Sequence, residues 1–338
     1  MDALPDFRVL NPKTLDDVIA ARAANPDSMP LGGGTDLVVN IRRGIVAPKV
    51  LIDMNRVQDL HTIRADEKSL ELGASVRLNE IAEHPGISGH YPVLAQAAAH
   101  IAGPTQRNMG TVGGNLCLDT RCIFYNQSEW WRNANDHCLK TTGTICHVAP
   151  KSRGFCFATF SGDLAPALLT LGAEIDIAGP AGKRTIPLEK LYIGFARQDV
   201  PVTETHGDGK FYLSLRPGEI VAAVRANNTA GLRSAYDKIR IRRSIEYPVA
   251  GVAVALRKEA GKLTDLRIAF TGTNPRPVLL AGTAGLCGRA LDEHVFKGLD
   301  TLVRDQIMPM KTTFTPGQYR RRVAGVLARR LLTRLFES

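Results

Sequence analysis

Two stretches, LGGGTDL (residues 31–37) and NMGTVGGNL (residues 108–116), decide how this chain is read. Each sets glycines between a strand-like run and the segment that follows. Glycine accepts positive φ and lets the backbone come close to a ligand. Successive backbone N–H groups in such a turn form a concave nest that suits a pyrophosphate. The first candidate loop is Leu31, Gly32, Gly33, Gly34, Thr35, Asp36 and Leu37; the second runs from Asn108 through Gly110, Thr111, Val112, Gly113 and Gly114 to Asn115. Thr35, Asp36, Thr111 and Asn115 add hydroxyl, carboxylate and amide groups. The dinucleotide fingerprint G-x-G-x-x-G is absent, because Leu37 stands where its third glycine would be, so a Rossmann reading fails; the Walker lysine is missing too. Taken singly, either turn is an ordinary tight turn. Two of them, both with threonine beside glycine, point to a dinucleotide held by two loops.

Outward from these loops the chain alternates strands and helices. FRVLNP reads as a strand, TLDDVIAARAANP as a helix stopped by Asn25-Pro26, MPL and KVLIDM as further strands. SLELGASV reads as a strand, and RLNEIAEHP and YPVLAQAAAHIA as helices. GDLAPALLTLGAEIDIAG is a helix followed by a strand, and residues 203–210 form a polar connector. From about 231 come three β-rich runs and then helices. The units expected are 1–55, 56–225 and 231–338.

Between the second loop and residue 160 lies CIFYNQSEWWRNANDHCLKTTGTICHVAPKSRGFC, from Cys122 to Cys156, with four of the six cysteines and both tryptophans. It lacks periodicity and reads as a long irregular loop, which inside a compact domain is usually functional. Four cysteines supply enough thiolates for a metal centre. The spacing C-x15-C-x7-C-x9-C has neither the close pairs common in zinc sites nor those of many ferredoxins, so zinc and iron–sulfur both stay open. Trp130 and Trp131 read as packing that shields this segment. Cys117 and Cys287 read as small buried residues.

The 338 residues carry 44% hydrophobic and 22% charged side chains and a net charge of +10, a soluble profile. No membrane span, no secretory signal and a cytoplasmic location are expected. There, clustered cysteines bind metal or do redox chemistry more often than they form disulfides. Much of the basic excess lies in YRRRVAGVLARRLLTRLFES, where Val323, Val326, Leu327, Leu331 and Leu335 recur at helical spacing. That is an amphipathic helix with a solvated basic face; no recognition motif accompanies it, and no nucleic-acid partner is expected.

In their order, LGGGTDL, TQRNMGTVGGNL, SGDLAPAL, LRPGEIV, YDKIRIRRSIEYPVAGVAVAL and YRRRVAGVLARR resemble the FAD-binding medium subunits of the xanthine oxidase family of molybdenum hydroxylases. The resemblance covers nearly the whole chain. It implies an α+β protein: two FAD-binding α/β subdomains, non-Rossmann and PCMH-like, then a C-terminal α/β domain with a small sheet and helices. It implies that both glycine loops hold FAD, that Asp163 lies near the adenosine portion, and that Leu215 and Lys238 lie near the flavin ring. On its residues alone, Lys238 would read as an exposed strand lysine. Glu246 stands where many relatives have Asp and is assigned no role. One branch of the family carries a similar cysteine-rich insert (about 117–157 here), which binds a [4Fe–4S] cluster. The matching positions are Cys122, Cys138, Cys146 and Cys156; Cys117 matches no ligand. The partners implied are a large molybdenum-cofactor subunit and a small subunit with two [2Fe–2S] clusters, in an (αβγ)2 heterohexamer fed by ferredoxin. Two alternatives remain: the same fold serving a hydroxylase that oxidises another aromatic or heterocyclic substrate, and a zinc-stabilised binding module without redox chemistry, against which the paired glycine loops argue.

Overall fold

The computed structural model describes residues 4–152, 154–194, 207–227 and 230–338; the first half of the polar connector at 203–210, residues 203–206, lies outside them. Three sheets organise the chain. The first is parallel, with strands β1 (Arg8–Leu10), β2 (Met29–Leu31) and β3 (Val50–Asp53) in the order β1-β3-β2. The helix Leu15–Ala24 crosses from β1 to β2. A capping box between Thr14 and Asp17 starts it, and Asn25 ends it. Its Leu15 and Val18 meet Val50 and Ile52 in a small core.

The second sheet is antiparallel, in the order β4-β5-β8-β6-β7: β4 is Ile63–Ala65, β5 Ser69–Gly73, β6 Glu174–Gly179, β7 Gly182–Pro187 and β8 Ile220–Asn227. The helices Leu78–Glu83, Pro92–His100 and Leu164–Thr170 share its core with Leu70, Leu72, Ile175 and Val224. Every residue of Leu164–Thr170 is buried. A helix apolar all round belongs in a core rather than at a surface.

The third sheet, β12-β11-β10-β9, is also antiparallel: β9 Arg233–Ile239, β10 Ala250–Glu259, β11 Lys262–Thr271 and β12 Val278–Leu279. The helices Glu293–Gln306 and Gly317–Glu337 cover one face, with Leu299, Val303, Leu327, Leu331 and Leu335 buried against Val252, Val254 and Ile268. The final helix departs from its expected stripe at two places. Val326 is 40% exposed, while Arg320 is fully buried and donates to the carbonyls of Val249, Gly272 and Met310. Those carbonyls end strands and loops, so one arginine ties off acceptors that apolar side chains would leave unpaired. Burial lowers its pKa to about 10, still far above neutrality.

The cysteine segment hangs from a two-bond clasp: Arg121 N to Thr159 O and Thr159 N to Arg121 O, both 2.8 Å. It is not wholly irregular. Glu129–Ala134 is a helix, N-capped where the Ser128 hydroxyl accepts from Trp131 N at 3.2 Å. The tryptophans separate: Trp131 stacks on Phe124 at 6.3 Å, but Trp130 is 78% exposed and shields nothing. Among the described residues, no helix is long and apolar enough to cross a membrane.

Candidate functional site

The first glycine loop leaves the carboxyl end of β2 in a parallel sheet, the edge where open α/β sheets bind ligands. Asn55 Nδ2 holds it by donating to the Gly32 carbonyl at 3.1 Å, and Gly34 turns it with φ +71°. No hydrogen bond among the described residues engages the amides of Gly33, Gly34, Thr35 or Asp36. The second loop is pinned along the chain leaving β5: Gly110 O accepts from Leu78 N at 2.9 Å, Val112 N donates to Val76 O at 2.9 Å, and Gly113 N donates to Ala74 O at 2.8 Å. Thr111 Oγ1 accepts from Gly114 N at 3.2 Å and opens the short helix Val112–Leu116. Asn115 faces inward, its Oδ1 accepting from Leu164 N at 3.1 Å, so it starts the helix Leu164–Thr170.

The two loops touch. A Cβ on Gly33 would stand 1.8 Å from the Met109 carbonyl oxygen, and one on Gly32 would stand 2.7 Å from Thr111 Oγ1. Only glycine allows this approach, and it seats the second turn directly against the first, whose amides form the cradle. The free N–H groups of the first loop and the hydroxyl-lined second loop suit the two phosphates of a dinucleotide.

Asp36 does not point freely into this cradle. It pairs with Arg121 Nη2, accepts from Asn40 Nδ2 at 3.1 Å, and receives the Tyr247 hydroxyl at 3.5 Å. Arg121 is the clasp of the cysteine segment, so one ion pair joins the first glycine loop to the residue before Cys122. Sequence reading missed this link, since nothing in either motif announces a partner 85 positions away.

Asp163 and Lys238 form a buried pair, Lys238 Nζ to Asp163 Oδ2 at 3.1 Å, with side chains 4% and 0% exposed. The Tyr236 hydroxyl donates to the other carboxylate oxygen, and Lys238 also donates to the Glu246 carbonyl at 3.2 Å. The resemblance distributes these residues between the adenosine and the flavin ring. In the fold the two lie side by side, joined by this ion pair. Lys238 is also no surface lysine. Leu215 is half-buried against the same core. Burial raises the Asp163 pKa, against the opposing pull of Lys238 and Tyr236.

Replacing Lys238 by Met is therefore expected to leave a buried carboxylate without its cation, at a cost of about 3–5 kcal/mol. An acid whose folded-state pKa is raised stabilises the fold below its unfolded value and loses that contribution as pH rises. The deficit of the variant should therefore shrink between pH 7 and pH 5 in thermal melts. A deficit independent of pH would mean that Asp163 is not the group left behind.

The cysteines also come together. Cys122, Cys138, Cys146 and Cys156 line one cavity with Phe124, Leu139, Lys140, His147, Val148 and Ala158. All four are free and buried. Tyr125 N donates to Cys122 Sγ at 3.3 Å, Ala158 N approaches Cys156 Sγ at 3.5 Å, and Thr141 Oγ1 lies 4.0 Å from Cys138 Sγ. Burial pushes the Cys122 thiol up to about 11 and the Cys156 thiol still higher, the latter against the opposing charge of Lys140. Among the described residues, no group of three or more His, Cys, Asp or Glu side chains is placed to hold a metal ion. The space between the thiols is about 10 Å³, room for one water.

Cys117 is not among the cavity residues; it is half-buried rather than buried, packed against the core of the second sheet, and that partial burial pushes its thiol up to about 12. Cys287 is half-buried rather than buried. His147 lines the cavity, while its Nε2 meets the His137 carbonyl at 2.7 Å.

Comparison with known proteins agrees with this geometry. Residues 5–226 match the FAD binding domain in molybdopterin dehydrogenase, and residues 234–335 match the CO dehydrogenase flavoprotein C-terminal domain. The chain is 24% identical to the carbon monoxide dehydrogenase medium chain of Hydrogenophaga pseudoflava, over 97% of this chain and 96% of that one. It is 22% identical to the glyceraldehyde dehydrogenase medium chain of Sulfolobus acidocaldarius, over 96% of each. Among solved structures, a carbon monoxide dehydrogenase from Hydrogenophaga pseudoflava superposes with TM-score 0.78 at 22% identity, covering 99% of both chains. Quinoline 2-oxidoreductase from Pseudomonas putida 86 superposes with TM-score 0.74 at 20% identity, again over 99% of both. The PCMH-like α+β fold expected from sequence is thus the fold observed. With two glycine loops seated against each other and both domains matched end to end, the chain belongs to the FAD-binding medium subunits of the xanthine oxidase and CO dehydrogenase family of molybdenum hydroxylases.

Proposed function

We propose that this subunit relays electrons through FAD and a [4Fe–4S] cluster, within a molybdenum enzyme resembling 4-hydroxybenzoyl-CoA reductase. The complex would remove the para hydroxyl of 4-hydroxybenzoyl-CoA to give benzoyl-CoA, with reduced ferredoxin as donor. The observation that carries this reading is the convergence of Cys122, Cys138, Cys146 and Cys156 on one buried cavity, in a segment clasped to the flavin loop through Arg121 and Asp36. FAD exchanges one or two electrons and a cluster one, so the pair suits a junction between a one-electron donor and the partner subunits.

On this reading the units are 1–55, 56–225 with the cysteine insert at about 117–157, and 231–338. The chain's own residues hold and tune the groups. Gly32, Gly33, Gly34, Thr35 and Asp36, with Thr111, Val112, Gly113, Gly114 and Asn115, would cradle the pyrophosphate. Asp163, Lys238 and Leu215 would line the cofactor further along. The amides at Cys122 and Cys156 would donate to sulfur, which raises a cluster potential. Substrate would be chosen in a large molybdenum subunit, and a small subunit with two [2Fe–2S] clusters would complete an (αβγ)2 assembly in the cytoplasm.

A second reading, a hydroxylase oxidising another aromatic or heterocyclic substrate, draws support from relatives named as dehydrogenases, among them the nicotinate dehydrogenase FAD-subunit of Eubacterium barkeri, 36% identical over 115 residues. Assaying the complex purified without oxygen decides between them. The first predicts consumption of 4-hydroxybenzoyl-CoA with a low-potential donor, and flavin, iron and labile sulfide in the preparation. Turnover only in the oxidative direction, with an artificial acceptor, would favour the second.

A further inference from the structure

Lys140 follows Cys138 by two residues and lines the same cavity as the four thiols. Lysines ordinarily carry their ammonium out to water along the alkyl stem. This one turns inward, with a side chain 6% exposed. Its Nζ donates to Asp119 Oδ1 at 2.8 Å, to the Thr120 hydroxyl, and to the Gly209 carbonyl at 2.9 Å. It also lies 5.0 Å from the Tyr125 ring centroid and 5.6 Å from that of Tyr212. Three donors and three acceptors leave the head group no freedom, so its position relative to the cavity is fixed.

The other charges beside the cavity are few. Lys210 Nζ donates to the carbonyls of Leu139 and Thr141, either side of Lys140, at 3.2 and 3.3 Å. Asp208 accepts from the Cys156 amide at 2.8 Å, and Asp119 is shared by Lys140 and the Tyr125 hydroxyl. Of the four, Lys140 alone borders the cavity, with its head group buried and fixed.

We propose that Lys140 is a positioning residue that sets the reduction potential of a cluster held by Cys122, Cys138, Cys146 and Cys156, its ammonium favouring the more negative reduced form. This rests on the cluster reading above. A four-thiolate cluster gains one negative charge on reduction, and a fixed cation in a low-dielectric wall stabilises that state more than the oxidised one. Asp119, paired with Lys140, and Asp208, bonded to the Cys156 amide, oppose it and attenuate the effect.

The test uses the complex purified without oxygen, as wild type, Lys140→Gln, Lys140→Arg and Asp119→Asn. Iron, labile sulfide and FAD are assayed, and the cluster midpoint is read by redox titration followed by electron paramagnetic resonance. Lys140→Gln should lower the equilibrium constant for cluster reduction at least tenfold, which is about 59 mV for one electron. Lys140→Arg should restore the wild-type value, and Asp119→Asn should shift it upward. An unshifted or raised midpoint in Lys140→Gln with full iron and sulfide overturns the role of Lys140 and leaves the cluster reading standing. If Lys140→Gln loses its iron, Asp119→Asn decides, and an unshifted or lowered midpoint there overturns the role. Wild-type protein without labile sulfide overturns the cluster reading itself.

Discussion

Gly33→Ala should yield protein that binds little or no FAD and melts well below the wild type. The added methyl would stand 1.8 Å from the Met109 carbonyl oxygen and 2.8 Å from the Gly110 amide nitrogen. Both are backbone atoms of a stretch fixed where Gly110 N donates to the Gln106 carbonyl and Gly110 O accepts from Leu78 N, so no side chain can turn away to make room. The loops must part. Forced overpacking of this kind costs about 3 kcal/mol or more, and parting the loops also spreads the amides that should converge on the pyrophosphate. Gly114→Ala is the contrast. Its methyl would approach only Thr111 Oγ1, at 3.1 Å, from an exposed position in a short helix. That variant should lose less than about 1 kcal/mol of stability, because the neighbour is one side-chain oxygen that can shift. Flavin absorbance after gel filtration, together with a thermal melt, reads both effects. Full flavin content in Gly33→Ala would show that the contact between the loops does not form the cofactor site.

The two variants also separate what is legible in sequence from what is not. Need for glycine is local: a tight turn or a close approach leaves its mark in the residue itself, so both loops stand out in the chain of letters. Their contact does not, because Gly33 and Met109 lie far apart in sequence and no pattern encodes the meeting. The same holds for Asp163 and Lys238, 75 positions apart, whose pairing sets them side by side. Short elements are lost for another reason. Glu129–Ala134 has six residues, too few for helical periodicity to stand out, and only the Ser128 cap hints at it. In the last helix the period is right, but Arg320 takes a buried position because unpaired carbonyls need donors, a demand invisible to a hydrophobic pattern. In the cysteine segment, the count of thiols is informative and their spacing is not. Lys140 and Arg121, which hold that segment in place, look in sequence like ordinary surface-type residues.

Cys138→Ala should abolish labile sulfide and most of the iron while FAD stays bound. The thiol is one of four on a common cavity wall, and a cubane that loses one ligand is exposed to hydrolysis and oxidation. FAD should remain because nothing in the flavin cradle touches Cys138. The ion pair between the insert and the first glycine loop runs from Arg121 to Asp36, and the substitution does not remove it. Its cost to folding should also be small, about 1–2 kcal/mol for a small half-apolar side chain removed from a cavity wall. Arg121→Gln makes the complementary prediction. It leaves every thiol in place but cuts the pair that fixes Asp36, so FAD affinity should fall roughly tenfold while iron and sulfide are retained; the interaction lost is a partly buried, charge-assisted hydrogen bond of about 1.5–3 kcal/mol. Measured side by side, the two substitutions separate the centres: one loses iron and keeps flavin, the other weakens flavin and keeps iron. If Cys138→Ala loses both cofactors together, the cysteine segment is a structural support for the flavin cradle, and the four thiols are not the ligands of a separate redox centre.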